Sequence, residues 1–286
     1  MKYGGEGFSG KPNVVIFVAP KENVIVELDN FLNFIRRRGW NVLQVVTLDS
    51  APEDRALKSC DFVITLGGDG TILYASREIE KYEKPILGIN FGKIGLLTEL
   101  SIAEFYNSVD KIEKGDFYII AIHRAKAHIE HGAHAFPSIL NEYVIMTKKP
   151  GKILGLEMSV DNEKVGEILC DGLIISTPIG SSSYALSVGG PIVSESVESF
   201  VVTPIAPLFR SSFPMIFPSD SIIRVKVMET WMDAILIADG VEVGEIARGE
   251  EVEIKYTNAV TKFIRLWGRH SRIRKVAGMV SLRYGR

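Results

Sequence analysis

Five consecutive residues, Gly67, Gly68, Asp69, Gly70 and Thr71, combine bare backbone with a carboxylate. An apolar run from Asp61 to Leu66 leads into them, and a helix-like run from Thr71 to Tyr82 leads out. Glycines at a strand-to-helix turn let backbone N–H groups approach phosphate oxygens, with the positive end of the next helix behind them. A carboxylate in such a turn repels a phosphate unless it binds a metal ion or takes a proton from an attacking hydroxyl. The pattern therefore suggests phosphoryl transfer rather than simple phosphate binding. It is not a Walker-type loop, because GxxxxGK[ST] is absent. A purely conformational reading stays open, since Gly and Asp both tolerate tight turns.

Two further segments carry candidate chemistry. Asn90 to Glu99 (NFGKIGLLTE) is a second glycine-rich turn after an apolar run, and two such turns on adjacent strands would line one crevice. The alternative is that Gly92 and Gly95 only permit close packing. Asp171 to Pro191 (DGLIISTPIGSSSYALSVGGP) runs from an apolar strand into three serines, a short helical stretch and Gly-Gly-Pro. Serines ahead of a helix offer hydroxyls and free N–H groups, either as a plain cap or toward a polyol or phosphate. Asp171 has the residue type that holds ribose hydroxyls in dinucleotide sites.

Other polar residues read more blandly. Asn141 and Glu142 open an apolar strand and, by residue type alone, face solvent. His123, His128, His131 and His134 surround a hairpin tip, but strand geometry turns His128 and His131 to opposite faces, with no carboxylate or cysteine spaced to complete a metal site. Cys170 reads as a small buried hydrophobe rather than a nucleophile.

The elements that must position these groups alternate over the first hundred residues. Asn13 to Ala19 is a continuous apolar run of the buried parallel-strand kind. Val24, Leu28, Phe31, Leu32 and Ile35 share one helical face, closed by Arg36 to Arg38 and Gly39. Strands follow at Asn41 to Leu48, Asp61 to Leu66 and Pro85 to Asn90, and a helix at Ala103 to Gly115. This order predicts a doubly wound α/β domain, whose ligands bind beyond the carboxyl ends of the strands. The period then changes. Strand patterns recur from Phe117 to Tyr256, separated by turn signals such as Asp161-Asn162 and Asp239-Gly240. The expected division is 1–110 for the α/β domain, 111–262 for a β-rich, sandwich-like domain, and 263–286 for a basic amphipathic tail packing back on the first.

Composition limits the function. With 286 residues and 46% hydrophobic content, the chain has room for a sizeable core. A net charge of −2 gives no global field for nucleic acid. No apolar run reaches the length of about 18 residues expected of a membrane span, and the polar start lacks the core of a signal peptide. Two widely separated cysteines form neither a zinc pattern nor a disulfide framework. The expectation is a cytoplasmic protein with no nucleic-acid or membrane partner.

Taken together, GGDGT (67–71), NFGKIGLLTE (90–99), NE (141–142), the segment 171–193 and VTPIAP (202–207) resemble the NAD kinase family, in particular its archaeal members. The segment 171–193 is the most specific of these; GGDGT is shared with lipid kinases. The resemblance implies an N-terminal α/β domain, a β-rich C-terminal domain and a dinucleotide between them. It implies transfer of the γ-phosphoryl of ATP, with a divalent cation such as Mg²⁺ or Mn²⁺, to the 2′-hydroxyl of the adenosine ribose of NAD, with polyphosphate as an alternative donor. In that picture Asp69 is the base. Gly67, Gly68, Gly70, Thr71 and Asn90 line the phosphates, with no direct protein motif for the metal. Asp69, Gly70, Asn141, Glu142, Lys152, Asp171, Ser182, Ser183, Tyr184, Ser187 and Ala206 fall where the family contacts NAD. The family also implies a homodimer or homotetramer. Three departures stand out: Ser183 replaces a common Ala, Val241 replaces the Gln of DGQ, and Leu96 replaces a common Phe. The alternatives are a non-catalytic NAD(P)-binding sensor and a lipid or sugar kinase sharing the GGDGT turn.

Overall fold

The computed structural model describes residues 2–4 (backbone only), 11–47, 49–92, 95–129, 135–149, 151–209, 212–229, 232–268 and 273–278. His131, His134, Lys93, Ile94 and most of the basic tail beyond Gly268 lie outside the described residues. Two compact units divide the chain: Met1–Ile122 with Ala259–Arg286, and His123–Asn258.

The first unit is built from β1 (Lys2–Gly4), β2 (Asn13–Val18), α1 (Glu22–Arg37), β3 (Asn41–Thr47), α2 (Asp54–Ser59), β4 (Phe62–Gly67), α3 (Asp69–Glu78), β5 (Ile86–Asn90), β6 (Leu100–Ser101), α4 (Ile102–Glu113) and the start of β7 (Tyr118–Ile129). Its sheet runs β3-β2-β4-β5, all parallel. Val14, Val15, Ile16 and Phe17 of β2 are fully buried, which is why the run carries no polar alternation. α1 buries Val24, Phe31, Leu32 and Ile35, and ends with Arg36 and Arg37 at its negative pole. Gly39 follows at φ +85°, the left-handed position that favours glycine. Phe31 and Trp40 both pack on Phe105, with ring centroids 5.1 and 6.0 Å apart, tying α1 to α4. A Ser101–Glu104 capping box starts α4.

Two details differ from the sequence reading. The helix expected from Thr71 starts at Asp69 and gives way to a 3₁₀ turn at Glu80–Tyr82. The short helix α2 was not expected, because six residues are too few to show a period.

The second unit contains β8 (Glu142–Thr147), β9 (Leu154–Val160), β10 (Glu163–Cys170), β11 (Gly172–Ser176), α5 (Tyr184–Ser187), β12 (Ser199–Ile205), β13 (Met215–Pro218), β14 (Ile223–Val227), β15 (Ala234–Ala238), β16 (Val241–Ile246) and the start of β17 (Glu251–Arg265). One sheet is antiparallel in the order β13-β12-β11-β8-β15-β16. Facing it are β10, β9, β14 and the start of β17. Their inner faces share one core, including Tyr143, Ile145, Leu173, Ile175 and Leu236 against Leu156, Met158, Val225 and Val252. Strands β14 and β15 show the expected alternation of buried and half-buried positions. The turn pairs Asp161-Asn162 and Asp239-Gly240 both have positive φ at both residues, the geometry of two-residue hairpin turns. Strands β13 and β16 were not expected: β13 has four residues, and Gly244 interrupts the apolar alternation of β16. β17 runs nine residues past the expected end at Tyr256, and its Phe263 pairs in parallel with Ile86 of β5 inside the first unit.

Candidate active site

In the first unit the two glycine-rich turns stand side by side. Gly67 at the end of β4 pairs with Asn90 at the end of β5, and the Phe91 N–H donates to Gly67 O at 2.8 Å. The three glycines of the first turn do different work. A Cβ on Gly67 would stand 2.2 Å from Thr71 Oγ1 and 2.9 Å from the Ala19 methyl, so packing forbids a side chain there. Around Gly68 and Gly70 the space is open, which leaves their backbone accessible to a ligand. Thr71 is buried beneath the turn.

Asp69 is the first residue of α3, where the helix dipole favours a negative charge. Its Oδ1 accepts the Leu97 N–H at 2.9 Å and its Oδ2 the Leu96 N–H at 3.1 Å. The second glycine turn therefore aims the carboxylate of the first. Gly95 makes this approach possible: a Cβ there would lie 2.3 Å from Thr98 Oγ1 and 2.6 Å from the Asn90 carboxamide. The Asn90 side chain closes its own turn, accepting from Gly92 N at 2.9 Å.

The second turn is braced from the end of β17. Arg265 donates to Leu97 O at 3.1 Å and to Glu99 Oε2 at 3.4 Å, and both residues are buried. Glu99 Oε1 accepts the N–H groups of Leu266 and Trp267 at 2.8 and 3.1 Å. Lys275 donates to Thr98 O and Glu99 O, both at 3.0 Å. Burial holds the Lys275 ammonium below its ordinary range, opposed by the negative charges of Glu99, Glu104 and Asp69. None of these braces was found from the sequence. Arg265 and Lys275 read there only as part of a basic amphipathic tail.

In the second unit the candidate residues form two groups at opposite ends of β11. At one end stand Asn141, Glu142, Ser182 and Ser183, while Tyr184 and Ser187 lie on α5 over the face of the sheet. At the other stand Asp171, Lys152 in the turn after β8, and Ala206 just past β12. The length of β11 separates them, roughly 14 Å at about 3.4 Å per residue. Ala206 has φ +45°, a strained conformation for a residue with a Cβ. It follows Ile205, which pairs with Gly172 and accepts the Asp171 N–H at 3.0 Å.

Asn141 and Glu142 correct the residue-level reading. They are 4% and 6% exposed, not solvent-facing. The reason is Asp239, at φ +45° in the β15–β16 turn. Its carboxylate accepts the N–H groups of Leu140, Asn141 and Glu142 at 2.8, 2.8 and 3.1 Å, drawing the start of β8 inward. Gly180 presses on the same segment: a Cβ there would stand 2.2 Å from Asn141 O. Asn141 Oδ1 and Glu142 Oε2 are buried with no hydrogen-bond partner among the described residues. Burial, with Asp239 nearby, pushes the Glu142 carboxyl up to about 8. Burial also raises Asp239, against the pull of its three N–H donors.

The three serines do not form a cap; α5 has no side-chain cap hydrogen bond. Ser181 is structural, donating to Pro178 O at 2.7 Å and accepting Val193 N–H at 2.9 Å. Ser182 donates to Ile179 O at 3.3 Å. Ser183 donates to Glu142 Oε1 at 3.0 Å. Tyr184 and Ser187 are exposed on α5, which covers the outer face of the sheet at Val144, Ile174 and Ile205.

His128 Nε2 lies 3.5 Å from Glu253, and His123 contacts Thr257 O. Among the described residues no group of three or more His, Cys, Asp or Glu is placed to hold a metal ion. Cys170 is buried in the sandwich core, its thiol pushed up to about 12 by burial. No helix among the described residues is long and apolar enough to cross a membrane.

Comparison with known proteins agrees with these motifs. Residues 36–117 match the model of the ATP-NAD kinase N-terminal domain, and residues 140–266 that of the ATP-NAD kinase C-terminal domain. The chain is 40% identical to an NAD kinase of Methanothermobacter thermautotrophicus over 75% of each chain. It is 32% identical to one from Thermococcus sibiricus, over 85% of this chain and 83% of the relative. Among solved structures, an NAD kinase from Archaeoglobus fulgidus in complex with ATP superposes with a TM-score of 0.76 at 28% identity, over 93% of this chain and 98% of that one. The yeast NADH kinase complexed with NADH shares the fold, with a TM-score of 0.80 at 22% identity over 96% and 89% of the two chains. The chain belongs to the NAD kinase family.

Proposed function

We propose that the protein transfers the γ-phosphoryl of ATP to the 2′-hydroxyl of the adenosine ribose of NAD, giving NADP. The observation that carries this reading is Asp69, a carboxylate aimed by two backbone N–H groups at the mouth of two glycine-rich turns. Each of its oxygens keeps acceptor capacity beyond the bond it already makes. It accepts the hydroxyl proton as the oxygen attacks phosphorus. Gly68 and Gly70 leave backbone open to the triphosphate. The carboxylate is assigned to the proton, since the two N–H donors aim it while leaving each oxygen a lone pair. The divalent cation would be held by the triphosphate oxygens, where it neutralises charge.

The second unit supplies recognition of NAD. A dinucleotide presents two nucleosides, and the candidate residues stand in two groups at the two ends of β11. Asn141 and Glu142 offer two buried acceptors for ribose or base donors, and Asp171, Lys152 and Ala206 form the other group. The protein works in the cytoplasm. It assembles as a homodimer or homotetramer through a face that includes Leu208, Phe209, Phe213 and Ile216, each more than half exposed. Light scattering on the purified protein tests that assembly; a monomer at micromolar concentration rejects it.

The reaction is tested by crossing acceptors (NAD, NADH, a sphingoid base, a hexose) with donors (ATP, GTP, polyphosphate) in the presence of Mg²⁺. Product only with the nicotinamide acceptors is expected. Turnover of the lipid or sugar, or tight NAD binding with no turnover under any donor, would replace this reading with one of its rivals.

A further inference from the structure

We propose that Ser183 is a positioning residue for NAD: its hydroxyl fixes one oxygen of Glu142 so that the other is presented as an acceptor to the ligand. The inference rests on the function proposed above, and it deepens the site by naming a residue at which this chain departs from the Ala common in its family.

The geometry is direct. Ser183 Oγ donates to Glu142 Oε1 at 3.0 Å, and Glu142 Oε2 is buried without a partner among the described residues. Asn141 Oδ1, on the preceding residue, is in the same condition. Buried acceptors without donors are uncommon, and two in sequence point to a ligand that brings donors, as the hydroxyls of a ribose do. A carboxylate with both oxygens uncommitted could turn either one toward that ligand. Ser183 removes the choice.

The same hydrogen bond favours Glu142's charged form against the larger effect of burial. Burial and the neighbouring Asp239 push its carboxyl up to about 8, and the Ser183 hydroxyl pulls it down. Asp239 approaches from the β15–β16 turn, Ser176 is Glu142's register partner on β11, and Ser183 stands ahead of α5. Arg124 of β7 acts on Asp239, lowering it. A ligand hydroxyl donates best to the ionised carboxylate. NAD binding therefore strengthens as pH rises toward Glu142's midpoint and levels off above it.

The test compares the parent with Ser183→Ala and Ser183→Thr. Glu142's midpoint is followed by ¹³C NMR of glutamate-labelled protein without ligand, with Glu142→Gln assigning the signal. Loss of one hydrogen bond to the charged form is expected to raise the midpoint by about one pH unit in Ser183→Ala, and the threonine hydroxyl to restore it. KM for NAD at pH 7 is then expected to rise up to about 10-fold in Ser183→Ala with kcat retained, and the difference to shrink near pH 9.5 to what the lost orientation alone costs. An unmoved midpoint in folded Ser183→Ala overturns the proposal, as does a KM for NAD that is unchanged at both pH values. If the parent does not bind NAD, the functional reading fails, and the NMR midpoint still decides whether Ser183 governs Glu142.

Discussion

Asp69 and Glu142 are both carboxylates at the ends of strands, yet the fold treats them oppositely. Asp69 is half exposed at a helix N-terminus, with a backbone N–H on each oxygen. Glu142 is buried, with one hydroxyl on one oxygen and nothing on the other. The first arrangement suits a group that must stay aimed while it takes up a proton. The second suits one whose hydrogen bonding is completed by a ligand. Environment assigns the two roles, since the chemical group is the same.

The supports differ as well. The turn that aims Asp69 is held by a buried ion pair, whereas the NE segment is held by Asp239 and by the absence of a side chain at Gly180. The largest effect should come from breaking the first support. Arg265→Met removes the guanidinium paired with buried Glu99 and leaves it only Lys275 nearby, and up to about 3–5 kcal/mol of stability is expected to be lost in chemical denaturation. A loss under about 1 kcal/mol would mean that Arg265 does not brace the turn. Gly180→Ala drives a methyl onto the Asn141 carbonyl and is expected to cost about 1–3 kcal/mol. Gly68→Ala, with open space around it, should change thermal stability far less. Equal costs would erase that contrast.

Glu142→Gln probes the ligand side. Above pH 8, where Glu142 is ionised, it keeps the size and removes the charged acceptor, so KM for NAD is expected to rise about 10-fold with little change in kcat, the scale of one charge-assisted hydrogen bond. A fall in kcat with KM unchanged would move Glu142 to the chemistry. The smallest predicted effect concerns stability. The folded protein holds a proton on Glu142 up to about pH 8, well above the ordinary carboxyl range. The folded state therefore binds more protons than the unfolded one between about pH 4.3 and 8, so this group's contribution falls as pH rises through that window. Replacing it with Gln should stabilise the protein more at pH 8.5 than at pH 5.5. A difference of the opposite sign would show that Glu142 ionises easily in the fold.

The legibility of these features followed their physics. The buried parallel strands, the α1 face and both two-residue hairpin turns showed in the sequence because each rests on local chemistry: apolar runs, helical spacing and residues that tolerate positive φ. The GGDGT and 171–193 segments stood out because small polar residues rarely follow strands so apolar. Burial of Asn141 and Glu142 was not readable from their types, since Asp239 draws them inward from far along the chain. Nor was the brace from Arg265 and Lys275, which arises because β17 extends beyond its apparent end and pairs with β5. Ser183 was legible as a departure, but its partner was not, because only the fold brings it to Glu142.

The central claim is that Asp69 takes the proton while the second unit holds NAD. It is tested most directly by measuring NADP formation and NAD affinity side by side for the parent and Asp69→Asn, with ATP and Mg²⁺. Expected are product from the parent, a loss of about 10²-fold or more in kcat for the variant, and NAD affinity within about 2-fold by calorimetry. Unchanged turnover in Asp69→Asn, or loss of NAD affinity as large as the loss of rate, would contradict it.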